Sequence, residues 1–220
     1  MRSHALILLI VLWLRAWPVD AAPAASAASA LLADVAVRIE TLAPGTRGLC
    51  TGWIGWSEPS RSAVYTAAHC YQDGATYRIA LPSGAFVYAT GLTRWEQEDL
   101  MALWIPIGGL RMLRTWKPLP DRAFRALHVL NIPDRPLQIV ETPVERVFKE
   151  IRFYNHAAAV AIPIYSVPGT SGAPIVDSAD GRLLGMVVGH LSERREISAV
   201  IPAQFLYEIL SNRSRPASRP

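Results

Sequence analysis

Short apolar segments alternate with turn residues along most of the chain, from about residue 35 to residue 201. Segments of this length, separated by Gly, Pro, Asp and Ser at short intervals, are typical of strands in an all-β barrel or sandwich. The predicted strands cover residues 35–41, 51–56, 62–66, 76–80, 86–90, 101–105, 126–130, 137–144, 147–153, 157–162, 174–177, 183–188 and 197–201. We therefore expect an all-β protein.

The pattern supports one helix, at residues 203–210, where apolar residues recur at helical spacing after Pro202. The run 117–121 (Lys-Pro-Leu-Pro-Asp) interrupts the strand pattern midway and predicts a connector between two β-units. The run 177–181 (Asp-Ser-Ala-Asp-Gly) predicts a turn between two strands. We expect one β-unit at 22–117, a second at 118–212, and a disordered basic tail at 213–220.

The N-terminus has the composition of an export signal. A basic start at residues 1–4 precedes an apolar run at 5–14, which is too short to anchor the chain across a bilayer. Val19-Asp20-Ala21 fits a small-residue cleavage signal, and residues 22–30 offer alternative sites. A retained signal anchor is the alternative. We expect a signal peptide at 1–21 and a secreted or periplasmic protein.

The charge of the chain does not indicate a nucleic-acid partner. The formal net charge is +4, and removing residues 1–21 removes Arg2, Arg15 and Asp20, which lowers it to +3. Three arginines in the tail account for that remainder, so the folded body is near neutral despite a sequence pI of about 9.3. No other apolar run is long enough for stable membrane insertion.

Two motifs carry the chemistry. Residues 66–70 read Thr-Ala-Ala-His-Cys, and residues 169–174 read Gly-Thr-Ser-Gly-Ala-Pro. They resemble the histidine motif and the nucleophile loop of the chymotrypsin-like (trypsin-fold) serine peptidases, in the chain order of that family. The resemblance is to the bacterial HtrA-like and glutamyl-endopeptidase-like branch. It implies two Greek-key β-barrels with a short C-terminal helix, and a serine endopeptidase acting on polypeptides.

The resemblance assigns three catalytic roles. A serine hydroxyl is a weak nucleophile that needs a neighbouring base, which makes Ser171 the nucleophile and His69 its general base. A buried carboxylate fixes the imidazole tautomer, and Asp99 is our candidate because it directly precedes an apolar strand. Glu96 and Glu98 are the alternatives for this acid. The resemblance also implies an oxyanion hole formed by the backbone N–H groups of Gly169 and Ser171.

The two cysteines of the chain, Cys50 and Cys70, predict one disulfide in an oxidising compartment. The resemblance agrees, since many members of the family link the cysteine beside the catalytic histidine to the preceding strand. A zinc site is the alternative, but two cysteines with the adjacent His69 lack the usual spacing of tetrahedral ligands. We expect no metal and no cofactor.

Activation and specificity differ from the trypsin pattern. Thr170 stands where many members have an Asp that binds a newly freed N-terminus, and residues 31–34 (Leu-Leu-Ala-Asp) lack the matching start. We therefore expect no zymogen switch of that kind. Tyr165 occupies the place of the acidic pocket floor in trypsin, which disfavours Lys or Arg before the cut bond.

The resemblance aligns the pocket wall with residues 185–190 and assigns Val188, Gly189 and His190 to the substrate pocket. His190 stands where many members have Gly, so it would narrow the pocket or contact an acidic side chain. An ordinary place at the end of a strand is the alternative. We expect small apolar or acidic side chains before the cleaved bond.

The sequence also bears on two other functions. A catalytically silent binding protein on the same fold is the main alternative, although none of the three catalytic residues is missing. An α/β-hydrolase esterase needs Gly-x-Ser-x-Gly, whereas Ala173 stands two residues after Ser171. The expected partner is a polypeptide substrate, without nucleic acid, and the oligomeric state stays open.

Overall fold

The computed structural model describes residues 26–148, 151, 159–191 and 194–213. The expected signal peptide at 1–21 and residues 214–220 of the expected tail lie outside this part of the chain. The helices and strands are α1 Ala27–Val35, β1 Ala36–Ala43, β2 Thr46–Ser57, β3 Ser62–Ala67, β4 Thr76–Ala80, β5 Phe86–Tyr88, β6 Gly91–Trp95, β7 Leu100–Ile105, β8 Phe124–Leu130, β9 Gln138–Val144, β10 Val160–Ile162, β11 Pro174–Asp177, β12 Leu183–Leu191, β13 Arg194–Pro202 and α2 Ala203–Arg213.

The first sheet is antiparallel, with the strand order β5-β4-β1-β2-β3-β7-β6. The sheet curls so that its two edges approach each other at the chain between β5 and β6. There the Ala89 N–H donates to Tyr77 O of β4 at 3.0 Å, while the adjacent Thr90 N–H donates to Trp104 O of β7 at 2.8 Å. Residues 36–105 therefore form a curled half-barrel.

The second sheet, of order β10-β13-β12-β11-β8-β9, is also antiparallel and curls in the same way. Phe148, which follows β9, exchanges two backbone hydrogen bonds of 2.8 and 2.9 Å with Ala161 of the opposite edge strand, β10. Buried apolar side chains of both sheets and of α1 form one continuous core. These observations confirm the expected all-β, chymotrypsin-like fold with a short C-terminal helix.

A helix at the start of the described chain was not predicted. Ser26 caps α1, because its hydroxyl accepts a hydrogen bond from Ser29 N–H at 3.1 Å. Ala28, Leu32 and Val35 of this helix are buried, and they lie on one face at helical spacing. The prediction of one helix was therefore wrong, because the Ala-rich run was interpreted only as chain following a signal peptide.

The strand predictions missed one strand, and two others fall partly on residues outside the described chain, among them residues 157–158 of the strand predicted at 157–162. Strand β6, Gly91–Trp95, was missed because its side chains are largely exposed and leave no apolar run. Of the strand predicted at 147–153, Phe148 forms a single bridge, and residues 149–150 and 152–153 lie outside the described residues.

The connector between the sheets runs through residues 106–123, which makes it longer than the proline-rich run suggested. It is fastened to the hairpin of β11 and β12 by Lys117. The Lys117 N–H donates to Leu183 O at 3.0 Å, and its ammonium group forms salt bridges with Asp177 and Asp180 at 2.6 and 2.9 Å. The predicted turn at 177–181 is present between these two strands.

Candidate active site

Two neighbouring strands of the first sheet bring His69 and Asp99 together. His69 lies on a short 3-10 turn that follows β3, and Asp99 directly precedes β7. Strands β3 and β7 pair in the register that sets Ala67 opposite Leu100. The residues just beyond this pair therefore meet at one end of the sheet.

The contact between these two side chains uses both oxygens of one carboxylate. Asp99 Oδ2 lies 2.8 Å from His69 Nδ1, and Asp99 Oδ1 accepts the His69 backbone N–H at 2.8 Å. The Ala68 N–H adds a bond of 2.9 Å to the Asp99 carbonyl. Asp99 is 3% exposed, whereas the His69 side chain is 43% exposed. The carboxylate thus fixes the ring while the other ring edge stays accessible.

Asp99, rather than a neighbouring acid, holds this position. Its backbone has φ +48°, a left-handed conformation that Asp and Asn tolerate better than most residues. Glu96, one of the alternatives, forms a salt bridge with Arg94. The sequence favoured Asp99 by its place directly before an apolar strand, whereas the contact itself depends on the turn that leads into β7.

The loop that carries Ser171 lies against the same end of the first sheet. The Thr51 N–H of β2 donates to Ser171 O at 2.8 Å. A Cβ atom on Gly172 would lie 2.9 Å from Ala67 N, two residues before His69, so the loop and the histidine turn are in close contact. Within the described residues, however, no hydrogen bond joins the Ser171 hydroxyl to the His69 ring.

The backbone amides of this loop fall into two sets. Those of Thr170, Gly172 and Ala173 each donate to a backbone carbonyl at 2.7–2.9 Å. The amides of Gly169 and Ser171 have no backbone acceptor among the residues that the structure describes. Gly169 has φ +101°, which favours glycine. The two amides expected to form an oxyanion hole are thus the two that remain available to a ligand.

The predicted pocket residues lie along the end of β12 and near it. The Gly172 N–H donates to Val187 O at 2.7 Å, which places this part of β12 beside the nucleophile loop. Val188 is buried, Gly189 and His190 are half-buried, and the strand is irregular at this point. Tyr165 is 42% exposed. These positions are compatible with a pocket wall next to Ser171.

Ser166, the residue next to Tyr165, is buried. It is 2% exposed, and in the described part of the chain its hydroxyl has no hydrogen-bond partner.

The expected disulfide is confirmed. Cys50 of β2 and Cys70 of the histidine turn are bonded, with their Cα atoms 6.3 Å apart. The Cys50 carbonyl also accepts the side-chain amide of Asn131 at 2.8 Å, and Asn131 Oδ1 accepts Arg38 Nε–H at 2.8 Å. The fully buried Asn131 therefore joins the second sheet to the first beside the site, a role that sequence reasoning did not find.

The second sheet holds a further buried histidine, His128 of β8. Its Nε2 lies 3.2 Å from Thr142 Oγ1, and its Nδ1 has no partner within the described chain. Burial lowers the pKa of His128 from its ordinary value to about 4, because the charged ring would lose its hydration. This histidine is therefore neutral near pH 7.

A cavity of about 770 Å³ lies elsewhere, between the first sheet, the connector and α2. Aromatic side chains, including Trp53, Trp104, Trp116 and Tyr207, line it. It contains none of the candidate site residues. In the described chain, moreover, no group of three or more His, Cys, Asp or Glu could hold a metal ion, and no helix is long and apolar enough to cross a membrane.

Comparisons with known proteins identify the family and the fold. The family model described as a trypsin-like peptidase domain matches residues 50–186. No curated protein sequence matches significantly.

Solved structures of bacterial proteases are similar in fold. The serine endoprotease from Yersinia pestis has a TM-score of 0.70 at 18% identity, over 84% of this chain and 64% of that one. A protease from M. tuberculosis in its active form has a TM-score of 0.69 at 20% identity, over 84% and 83% of the two chains. The HtrA-type protease AlgW, solved with a tripeptide, has a TM-score of 0.72 at 20% identity, over 84% and 61%. This chain thus spans less than two thirds of the Yersinia and AlgW chains.

Proposed function

Because this chain belongs to the family of trypsin-like peptidase domains, whose fold supports a serine protease function, we propose that it is a serine endopeptidase. It hydrolyses peptide bonds through an acyl-enzyme on Ser171, with His69 as general base and Asp99 as the orienting acid. One observation carries this proposal more than any other. Asp99 bonds His69 at Nδ1 and at its backbone N–H, which leaves Nε2 free of this carboxylate on a half-exposed side chain.

The Asp99 bond determines how His69 acts. A carboxylate accepts hydrogen bonds, so Nδ1 carries the proton and Nε2 presents a lone pair. Nε2 takes the proton of the Ser171 hydroxyl as its oxygen attacks the carbonyl carbon, and the buried carboxylate stabilises the resulting imidazolium. His69 then protonates the leaving amine. In the second half of the reaction, His69 takes a proton from a water molecule as the water oxygen attacks the acyl-enzyme, and it returns this proton to Ser171 as the acid product leaves.

The negative charge that forms on the carbonyl oxygen requires preorganised donors. We assign this role to the Gly169 and Ser171 amides, which lack backbone acceptors in the described residues. Removing a single donor of this kind typically lowers kcat by about 10²–10³-fold.

We further propose that no cut near residues 30–40 is needed for activity. Thr170 is 1% exposed, its N–H donates to Val167 O at 2.9 Å, and its hydroxyl accepts the Val167 N–H at 3.2 Å. Neutral hydrogen bonds thus hold the loop of Ser171 at the position where, in many other members of the family, an Asp forms a salt bridge with a newly freed N-terminus. A mature chain that stays inactive until it is cut there would contradict this.

The proposed specificity is for small apolar or acidic side chains before the cleaved bond. Tyr165 stands at the pocket-floor position, so Lys and Arg lack a carboxylate partner there. Peptide-library profiling with strong cleavage after Arg would contradict this preference.

We also propose export to the periplasm or beyond through a signal peptide at residues 1–21. N-terminal sequencing of the exported protein tests this proposal.

The experiment for the catalytic proposal is covalent labelling by a fluorophosphonate, monitored by intact mass. The purified mature protein is compared with Ser171→Ala. We expect a single adduct on the wild type and none on the variant. An unlabelled wild type that is folded and disulfide-bonded would contradict the proposal and favour a silent binding protein on this fold.

A further inference from the structure

Thr51 lies at the junction between the first sheet and the nucleophile loop. It is a fully buried residue of β2, next to the disulfide-bonded Cys50. Its side chain and its backbone both contact the loop, although they are far from it in sequence. The Thr51 hydroxyl donates to Gly169 O at 2.7 Å, and the Thr51 N–H donates to Ser171 O at 2.8 Å.

These two bonds fix the peptide planes on either side of the nucleophile. The plane between Gly169 and Thr170 is held by Thr51 at its oxygen and by Val167 at its N–H. The plane between Ser171 and Gly172 is held by Thr51 at its oxygen and, through the Gly172 N–H, by β12. Because a peptide unit is planar, holding both of its polar ends fixes its orientation.

The peptide plane between Thr170 and Ser171 lies between these two. Its oxygen accepts the Ala173 N–H at 2.9 Å, so the Ser171 N–H of the same plane points to the opposite side. The direction of this N–H therefore depends on the two flanking planes that Thr51 secures. Since β2 also pairs with β3, the strand before His69, Thr51 ties the proposed oxyanion donors to the strand that leads to the general base.

Thr51 is itself held in place from the other side. Its carbonyl accepts the Thr66 hydroxyl at 2.7 Å, and a Cβ on Gly172 would lie 2.2 Å from the same Thr51 oxygen. Packing this close leaves the loop no room to adopt another path while the Thr51 bonds are present.

We propose that Thr51 is a positioning residue, whose hydroxyl holds the peptide plane that lies between the Gly169 and Ser171 amides and thereby orients these amides for stabilising the oxyanion. This inference rests on the proposed peptidase function. It predicts that loss of the hydroxyl lowers the rate of acylation more than the binding of a substrate, because the amides must align with an atom that becomes charged only during reaction.

The test compares Thr51→Val, which keeps the branched shape but loses the hydroxyl, with Thr51→Ser, which keeps the hydroxyl. Ser62→Ala serves as the matched control, because it deletes a buried hydroxyl-to-carbonyl bond of 2.7 Å, to Ile107, at the far end of β3. The readouts are the second-order rate of fluorophosphonate labelling, and the maximal burst rate and half-saturation concentration for acylation by p-nitrophenyl acetate, measured before the steady state.

We expect Thr51→Val to lower the labelling rate and the maximal burst rate by roughly 10- to 100-fold, with the half-saturation concentration changed far less. Thr51→Ser should restore most of this loss, and Ser62→Ala should lower the melting temperature without the loss in burst rate. Wild-type rates in Thr51→Val, or equal losses in Thr51→Val and Thr51→Ser, would overturn the inference.

Amide hydrogen exchange over residues 165–175 provides a readout that does not depend on activity. Exchange should become faster in Thr51→Val but not in Thr51→Ser or Ser62→Ala. If the wild type resists labelling, the peptidase proposal fails, and unchanged exchange in Thr51→Val would then overturn the positioning role separately.

Discussion

The two sheets hold their functional groups by different means. In the first sheet, His69 is fixed by side-chain and backbone bonds to Asp99, and both residues lie at the ends of two paired strands. In the second half of the chain, Ser171 lies on a loop between strands, where backbone hydrogen bonds and glycines with positive φ determine the path.

This difference shows which contacts between the two halves of the chain hold the candidate site together. The histidine and its acid come from one sheet, whereas the loop of Ser171 is secured from the opposite sheet through Thr51. Asn131, which follows β8, joins the two halves at the Cys50 carbonyl. A change at Asp99 should therefore affect chemistry locally. A change in the glycine loop should disturb the contact between the two halves.

The largest expected effect comes from Asp99→Asn. Asn tolerates the left-handed backbone of this position, so the fold should persist. Its amide group would donate to His69 Nδ1, which places the ring proton on Nε2 and prevents that atom from accepting the serine proton. We expect kcat to fall by roughly 10⁴-fold with little change in melting temperature. A kcat within tenfold of wild type would assign the acid role elsewhere.

Gly172→Ala should have the next largest effect, and it tests the contact between the halves. The new Cβ would lie 2.2 Å from both Thr51 O and Thr66 Oγ1, at a φ of +85°. Because the oxygen of Thr51 belongs to the backbone, it cannot move aside cheaply. We expect loss of labelling together with a large fall in the free energy of unfolding, measured by chemical denaturation.

Gly45→Ala is the matched control for this variant. Gly45 also has a positive φ, of +74°, but no atom lies within 4 Å of its added Cβ. In Gly45→Ala the free energy of unfolding should fall only by the backbone strain of the left-handed conformation, on the order of 1–2 kcal/mol, and activity should be retained. Equal destabilisation by the two variants would show that backbone strain, rather than packing between the halves, dominates at Gly172.

The smallest effect expected near neutral pH concerns buried ionisable groups, because it appears only in acid. Asp99 has partners on both oxygens, whereas His128 has a lowered pKa, of about 4, and an Nδ1 without a partner among the described residues. The unfolded chain binds a proton at His128 below about pH 6.5, and the folded chain does so below about pH 4. Stability is therefore full above pH 6.5 and falls as the pH decreases between these values.

Between pH 6.5 and pH 4.5 the free energy of unfolding falls by about 2–3 kcal/mol, because each pH unit in this interval costs about 1.36 kcal/mol. His128→Leu should remove this part of the pH dependence, which urea denaturation at pH 7.5 and 4.5 measures. Identical pH dependence in the variant and the wild type would show that His128 is not the titrating group.

The sequence predicted the candidate site and the local structure to different extents. His69, Asp99 and Ser171 were proposed because their chemistry requires particular residue types in recognisable surroundings, and the structure brings the first two into contact. Helix α1 was missed because its alanines resembled a processed leader. Strand β6 was missed because a strand with exposed side chains has no apolar pattern.

By itself the sequence determined the fold class, the family and the disulfide between Cys50 and Cys70, since short-range patterns and rare residues encode these properties. The tertiary structure decided which acid bonds His69, which amides of the loop stay available, and that Thr51 links the two halves. Those features depend on contacts between residues far apart in the chain, with Thr51 and Gly169 separated by 118 positions. Such contacts exist only after both sheets have folded against each other.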